Sequence, residues 1–371
     1  MKKKIWMMLL CGALVCFPLG GCGINRADAD TGSVQSEVAS DHKTTKNSNA
    51  EYTSEVFAMD TYMTLTAYGE NAKEAVEAGI AEIQRLDALL STGDANSEVA
   101  QINQNGGGTL SEDTDYLVKR AFAIYQSTQG AFDISIYPVM QLWGFTTGDF
   151  AVPSKEDLAA KLALVNAGRI SLTEDNGVSS ITLPEGMEID LGGIAKGYTS
   201  GRVMEVMKHY GIESAVINLG GNAHVLGSKP DGSAWKVGIQ DPNDTNGYLG
   251  GVSVRDKAII TSGGYERYFV DEATGVKYHH IIDPKTGYSA NNGLISVTIV
   301  STDSTLADGL STSLFVLGTE DAIAYCEEHC AEDGFDAIME DEDGKLYITD
   351  GIMDDFINMN NTANIQEIKT K

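Results

Sequence analysis

The chain has 371 residues and carries 53 Asp and Glu against 26 Lys and Arg, a formal net charge of −27. So acidic a balance argues against nucleic acid as the main partner, because gripping a phosphate backbone takes a basic face. At 42% hydrophobic and 21% charged the composition is globular rather than disordered or collagen-like, and ~150 residues per domain allows two to three structural units.

The chain opens MKKKIWMMLLCGALVCFPLGGC, with Lys2, Lys3 and Lys4 ahead of an apolar stretch from Ile5 to Leu19. That is the form of a secretory signal, too short and too soon followed by polar sequence to be a spanning helix. Leu19-Gly20-Gly21-Cys22 resembles a bacterial lipobox, so residues 1–21 are expected to be removed and Cys22 to carry the lipid. Two acyl groups on one residue suffice for stable anchoring. Residues 22–50 hold few large apolar side chains and are expected to be a tether, with the folded unit spanning 51–371. Cys326 and Cys330 then remain, four apart in an expected helix where a disulfide would be strained; with His329 they could be metal ligands, but no second ligand pair stands elsewhere in the sequence.

After Glu51 short strands and helices alternate. TYMTLTAY (61–68) has the period of a strand, and 71–91 places Val76, Ile80, Ile83, Leu86 and Leu90 at helical spacing. A helix is expected over 113–127, and others near 194–209, 303–317 and 319–330. Strands are expected at RISLT, SSITL, SAVINL, WKVGIQ, KAIITS, ERYFV, LISVTIV, FDAIME and KLYIT. Several strands follow one another without a helix between them, which favours an α+β fold with largely antiparallel sheets.

Four segments carry possible chemistry. In Asp190-Leu191-Gly192-Gly193-Ile194-Ala195-Lys196-Gly197 an acid ends a strand and a glycine pair opens a helix, where backbone amides favour phosphate; the spacing is neither a Walker loop nor a dinucleotide fingerprint. Next comes Thr261-Ser262-Gly263-Gly264-Tyr265-Glu266-Arg267-Tyr268, with His279-His280-Ile281-Ile282-Asp283-Pro284 after it. His280 is the proton-transfer candidate there, while His279 and His224 are expected to be hydrogen-bonded core residues. In DGLSTSLFVLG, Asp308 and Thr312 share a polar helix face, a carboxylate and hydroxyl that suit a hard cation such as Mg²⁺. Finally, Gly130-Ala131-Phe132-Asp133 followed by LWGF could hold a flat heteroaromatic ring.

Taken in order, GAFDIS, LWGF, DLGGIAKGY, NLGGN, TSGGYERYF, HIIDPKTG and DGLSTSLFVLG resemble the ApbE family of FAD:protein FMN transferases over about residues 55–350. The resemblance implies a two-lobed α+β fold with mostly antiparallel sheets and a cleft for FAD and Mg²⁺ between the lobes. It implies transfer of FMN onto a Thr or Ser hydroxyl of an acceptor protein, with AMP leaving. By the same resemblance His280 is the general base, and Asp308, Thr312 and the Gly193 carbonyl hold the metal, with Ser311 where many relatives carry a second acid. FAD contacts are implied at Met59, Ala131, Phe132, Asp133, Asp190, Lys196 and Ile281. Two further departures are Met59-Asp60-Thr61 in place of a common Met-Gly-Thr, and Gly93 where some relatives place a tyrosine. With the signal, the family implies a lipid-anchored enzyme on the extracytoplasmic face of the cell membrane, serving exported redox proteins. Its rivals are a Mg²⁺-dependent FAD pyrophosphatase and a flavin-binding lipoprotein without catalysis.

Overall fold

The computed structural model describes residues 50–244, 246–359 and 364–371; the signal segment, Cys22 and nearly all of the expected tether lie outside the described residues. In chain order the first half comprises β1 (Glu51–Ala58), β2 (Thr61–Tyr68), α1 (Ala72–Leu90), α2 (Glu98–Asn105), β3 (Gly107–Thr109), α3 (Glu112–Ser127), α4 (Tyr137–Trp143), α5 (Lys155–Leu162), β4 (Ser171–Asp175) and β5 (Val178–Thr182). Then come α6 (Gly192–His209), β6 (Ser214–Leu219), β7 (Asn222–Gly227), β8 (Trp235–Gln240), β9 (Tyr248–Val254), β10 (Ala258–Gly263), β11 (Tyr268–Val270) and β12 (Lys277–His279). The chain ends with β13 (Leu294–Ser301), α7 (Ser304–Leu317), α8 (Thr319–Asp333), β14 (Phe335–Asp341), β15 (Leu346–Thr349), β16 (Phe356–Ile357) and β17 (Ile365–Ile368).

Nine strands form one sheet in the order β1-β2-β6-β7-β10-β13-β14-β15-β17, antiparallel throughout except where β17 pairs parallel to β15. The α+β, mostly antiparallel expectation is met. Strand alternation divides the molecule into layers: along β10, Ala258 and Ile260 enter the core beneath the helices, while Ile259 enters the core beneath the small sheet β16-β9-β8. Because the period is two, Ser262 at the end of the same strand faces the helices, and there its hydroxyl meets α7.

Helices start where a short polar side chain can take an otherwise unpaired amide. Ser97 accepts from Ala100, Ser111 from Thr114, Ser154 from Asp157 and Asp303 from Leu306. In α1, Val76, Ile83, Leu86 and Leu90 are buried as their spacing predicts, and Ile80 is half-buried. The elements absent from the sequence expectation include β1, β7, β9, α4 and α5, and two of these strands lack alternation for identifiable reasons. β7 (NAHVLG) is buried along nearly its whole length, so it does not alternate; β9 carries Gly250 and Gly251, and a Cβ at Gly250 would lie 2.5 Å from the Phe356 ring.

Helices α6 and α7 cross closely at Gly197. A Cβ there would stand 2.5 Å from the Asp308 Cβ and nearer still to the Ser304 carbonyl, while the Ser304 hydroxyl donates to the Gly197 carbonyl at 2.7 Å. Only glycine fits this contact. Gly197→Ala is therefore expected to cost at least the ~1–3 kcal/mol typical of overpacking, read as a lower urea midpoint with an unchanged m-value.

Candidate active site

The site is built at one end of the large sheet, where two hairpin tips lie side by side. Met59 and Asp60 turn β1 into β2 with φ of 47° and 60°, and Gly220 and Gly221 turn β6 into β7 with φ of 62° and 96°. Two-residue turns with both central residues at positive φ match the right-handed twist of a hairpin, and glycine is the residue that takes them without strain. A Cβ at Gly220 would lie 2.6 Å from Thr61 Cγ2, so the tips are packed together. Asp60 holds its left-handed conformation as a short polar residue can.

Asp308, buried on α7, is the centre of the arrangement. Its Oδ2 accepts the Gly197 backbone N–H at 2.7 Å and its Oδ1 accepts the Asn222 side-chain amide at 3.0 Å. Helix geometry would assign the Gly197 N–H to the Gly193 carbonyl, so the carboxylate competes for that donor and relaxes the claim on the Gly193 oxygen. Burial raises the Asp308 pKa, opposed by Lys196 and by the hydrogen bonds from Gly197 and Asn222. One turn on, the Ser311 hydroxyl donates to the Asp308 carbonyl at 2.9 Å and lies 2.8 Å from the Ser262 hydroxyl, which is itself 3.3 Å from Thr312 Oγ1.

Lys196, half-buried on α6, has no ion-pair partner within 4 Å among the described residues, yet its charge bears on Asp190, Glu266, His280 and Asp308. The Glu266 carboxyl is pushed up to about 7 by burial, with Lys196 pulling it down and Asp308 adding to the rise. The carboxylate of Glu266 reaches the second tip: a Cβ at Gly221 would be 3.7 Å from its Oε1.

His280 is anchored by the backbone of Arg267. Its N–H donates to the Arg267 carbonyl at 3.0 Å and its ring Nδ1 lies 3.2 Å from the same oxygen. A carbonyl only accepts, so Nδ1 carries the proton and Nε2 keeps a free lone pair. Burial, then the positive charges of Arg267 and Lys196, lower the imidazole pKa to about 3, leaving it neutral at pH 7. His279 and His224 take the structural roles expected of them. The His279 Nε2 bonds the Ala290 carbonyl at 2.8 Å, and buried His224 lies 3.1 Å from the Ser200 hydroxyl.

The remaining predicted residues divide by how much surface they leave for a ligand. The Met59 N–H donates to Asp87 at 3.1 Å, and Asp190 caps the amide of Gly192 at 2.7 Å while burial raises its pKa. Ala131, Phe132, Asp133 and Ile281 are buried. The Phe132 ring packs against Gly193, within 2.9 Å of where a Cβ would stand. Both Asp133 oxygens serve the fold, one accepting from the Ser135 amide and hydroxyl and the other from the Ala167 amide. The Asp133 carboxylate is thus already committed to its own loop and to the start of the next segment. Cys326 and Cys330 are buried free thiols, and His329 stacks on Tyr325 at 4.3 Å.

Sequence reasoning gave no role to Asn222, Ser262 or Glu266, although each lies inside a motif it quoted. Asn222 was signalled by NLGGN, since an amide just after a glycine turn is aimed by that turn. As a metal donor set, Asp308, Thr312 and the Gly193 carbonyl are all oxygen with one carboxylate, and among the described residues no group of three His, Cys, Asp or Glu assembles. Such a set fits Mg²⁺, which is commonly held by one or two carboxylates together with substrate phosphates.

In ¹⁵N spectra of the free protein at pH 6, where an unperturbed histidine is mostly protonated, His224, His279 and His280 are expected to remain neutral, with pKa values lowered to about 4, 4 and 3. A charged His280 signal at that pH would contradict the site electrostatics.

Comparison with known proteins agrees with this geometry. The model of the ApbE family matches residues 59–339. A Klebsiella pneumoniae FAD:protein FMN transferase is 38% identical over 246 residues, covering 65% of this chain and 75% of that one. Its Treponema pallidum counterpart is 32% identical over 324 residues, 82% of this chain and 88% of that one. Among solved structures, the ApbE protein of Thermotoga maritima superposes with a TM-score of 0.75 at 32% identity, over 81% of this chain and 98% of that one. The flavin transferase ApbE of Vibrio cholerae gives 0.70 at 30% identity, over 81% and 97%. With the family match spanning most of the folded residues and the fold shared along nearly the full length of those structures, the chain belongs to the ApbE family.

Proposed function

We propose that this chain is an FAD:protein FMN transferase that moves FMN from FAD onto a Thr or Ser hydroxyl of an acceptor protein and releases AMP. The observation that carries the reading is a neutral imidazole with a free Nε2, His280, in one electrostatic cluster with unpaired Lys196 and the oxygen-rich surroundings of Asp308. The acceptor hydroxyl oxygen bonds to the phosphorus that carries FMN, the anhydride bond to AMP breaks, and the hydroxyl proton passes to His280 Nε2. Lys196 supplies positive charge to a pyrophosphate that the overall acidity of the protein would repel. Asp308, Thr312 and the Gly193 carbonyl would hold Mg²⁺, whose chemistry when bound is to neutralise phosphate charge and stabilise the leaving group. Ser311, its proton committed to the Asp308 carbonyl, contributes a lone pair or a bridging water rather than the charge of a second acid.

The N-terminal sequence supports a lipid anchor at Cys22 after removal of residues 1–21, with 22–50 as a tether and 51–371 as the working unit. Acceptors are then extracytoplasmic redox proteins.

The test is mass spectrometry of a Thr-bearing redox acceptor incubated with residues 23–371, FAD and Mg²⁺. Covalent FMN is expected on the acceptor, abolished by a chelator and by Asp308→Ala, and slowed about 10²–10⁴-fold by His280→Ala. Lys196→Met should chiefly raise the KM for FAD. Free FMN and AMP with no modified acceptor would assign the site to hydrolysis instead.

A further inference from the structure

Across β10, β13 and β14 a row of residues faces the small sheet and ends in groups that the chemistry above does not use. Gly263 pairs with Ser296 and Ser296 with Glu340, so the three stand side by side on neighbouring strands. Ile259, Val300 and Ile338, at the same parity, enter the core beneath β16-β9-β8. Ser296 and Glu340 therefore point into that same layer, and what they bring to it is polar. Ser296 is 1% and Glu340 5% exposed, and the Ser296 hydroxyl and Glu340 Oε2 are buried with no hydrogen-bond partner among the described residues. A carboxylate this deep is normally bonded or paired, because leaving it bare costs its desolvation in full.

Two further oxygen-bearing side chains close over the row. The Tyr265 ring lies against Gly263, where a Cβ would stand 2.7 Å from its Cδ1. Burial and then the charge of Glu266 hold the phenol above the usual tyrosine range, with Ser296 opposing and Glu340 and Asp241 adding to the rise, so those groups surround its hydroxyl. Asp241 directly follows β8. The next two residues, Pro242 and Asn243, share the wall of a cavity of about 420 Å³ with Tyr265, Leu294 and Ile295, which sets the turn after β8 against the Ser296 end of β13. Asp241 Oδ1 accepts the Asn243 and Asp244 amides at 2.8 and 3.3 Å, and Oδ2 stays uncommitted among the described residues. No cation answers these acids: burial, then the charges of Asp241 and Asp341, push the Glu340 carboxyl up to about 7. Asp341 itself is spent on the Asp343 and Lys345 amides and the Tyr347 hydroxyl.

We propose that Glu340, Asp241, Ser296 and Tyr265 hold a divalent cation, Ca²⁺, at a site separate from the Asp308 centre. Every donor is an oxygen, and the donors come from separate chain segments on two sheets. So irregular a set suits the about 6–8 flexible ligands of Ca²⁺, completed by water, better than the strict octahedron of Mg²⁺. Bound there, the ion pairs the buried Glu340 charge and ties the end of β8 to β13 and β14. Through Tyr265 it also steadies the segment that carries Ser262 to α7 and Arg267 to His280. The inference does not depend on which reaction the cleft performs.

The test titrates Tb³⁺, a luminescent stand-in for Ca²⁺ excited through nearby tyrosine, into the Asp308→Ala protein, which lacks the carboxylate of the proposed Mg²⁺ site. Sensitised emission that Ca²⁺ displaces is expected, and Glu340→Gln on that background should weaken Tb³⁺ binding roughly tenfold or more. With Asp308 intact and at pH 8, above the Glu340 value, millimolar Ca²⁺ should raise Tm by about 2–4 °C and slow amide exchange across residues 261–267. Glu340→Gln should lose both responses, yet without Ca²⁺ melt no lower than wild type, since it removes an unpaired buried charge. That comparison separates lost cation binding from a damaged fold. Asp241→Asn, on the half-exposed turn, should weaken Tb³⁺ binding by a similar factor and serves if Glu340→Gln does not fold. No sensitised emission from the Asp308→Ala protein would overturn the site, as would emission and Ca²⁺ responses that persist unchanged in these variants.

Discussion

Everything at this site depends on two helices approaching closely enough for one to hydrogen-bond into the backbone of the other. Gly197 lets α7 sit against α6 at a distance no side chain would allow, and the Asp308 carboxylate then takes a backbone N–H from the middle of α6. That single contact fixes the carboxylate relative to Gly193, four residues back, and to Lys196, one residue back. The same geometry explains why Asp308 can be buried at all. It is satisfied by two neutral donors, Gly197 and Asn222, and not by a cation at bonding distance. Burial raises the pKa of a carboxylate held this way, opposed by Lys196 and the two hydrogen bonds, and a bound cation would work against that rise.

Charge around Lys196 and His280 is arranged against the trend of the whole molecule. A net charge of −27 repels a polyanion at long range, so the local field has to reverse sign within a few ångströms. Lys196 and Arg267 supply the positive part. Glu266 would work against them, but burial pushes its carboxyl up to about 7, so near neutrality it is charged only part of the time. The disagreement between the acidity of the protein and the needs of its substrate is thus met by desolvation as well as by basic residues.

How much of this was legible in the sequence follows from the range of the interactions. The α1 stripe of Val76, Ile83, Leu86 and Leu90, and strands such as LISVTIV, are local patterns and emerge from period alone. Strands β7 and β9 are defined by what covers both their faces, which no local pattern records. At the site, Asp308, Thr312 and His280 stood out because their residue types and offsets are chemical statements in themselves. Asn222 and Ser262 act only through partners 86 and 49 residues away, so their roles needed the fold. Phe132 and Asp133 show a further case: their letters suggest a ligand-binding loop, and the fold adds what no local pattern records, the ring packing on Gly193 and the carboxylate bracing Ser135 and Ala167.

The electrostatics also give His280 a conditional strength. In the free protein its imidazole is depressed to about 3 by burial and then by the positive charges of Arg267 and Lys196. So weak a base is poorly matched to taking a hydroxyl proton near neutral pH. A polyanion bound near Lys196 offsets those cations and adds negative charge of its own, and each unit of pKa so restored is worth about 1.4 kcal/mol of proton affinity. Burial keeps the imidazole neutral and its Nε2 lone pair free before the substrate arrives; the substrate then raises its basicity. On the proposed reaction the histidine would be a stronger base with a polyanion bound near Lys196 than without one, through charge alone.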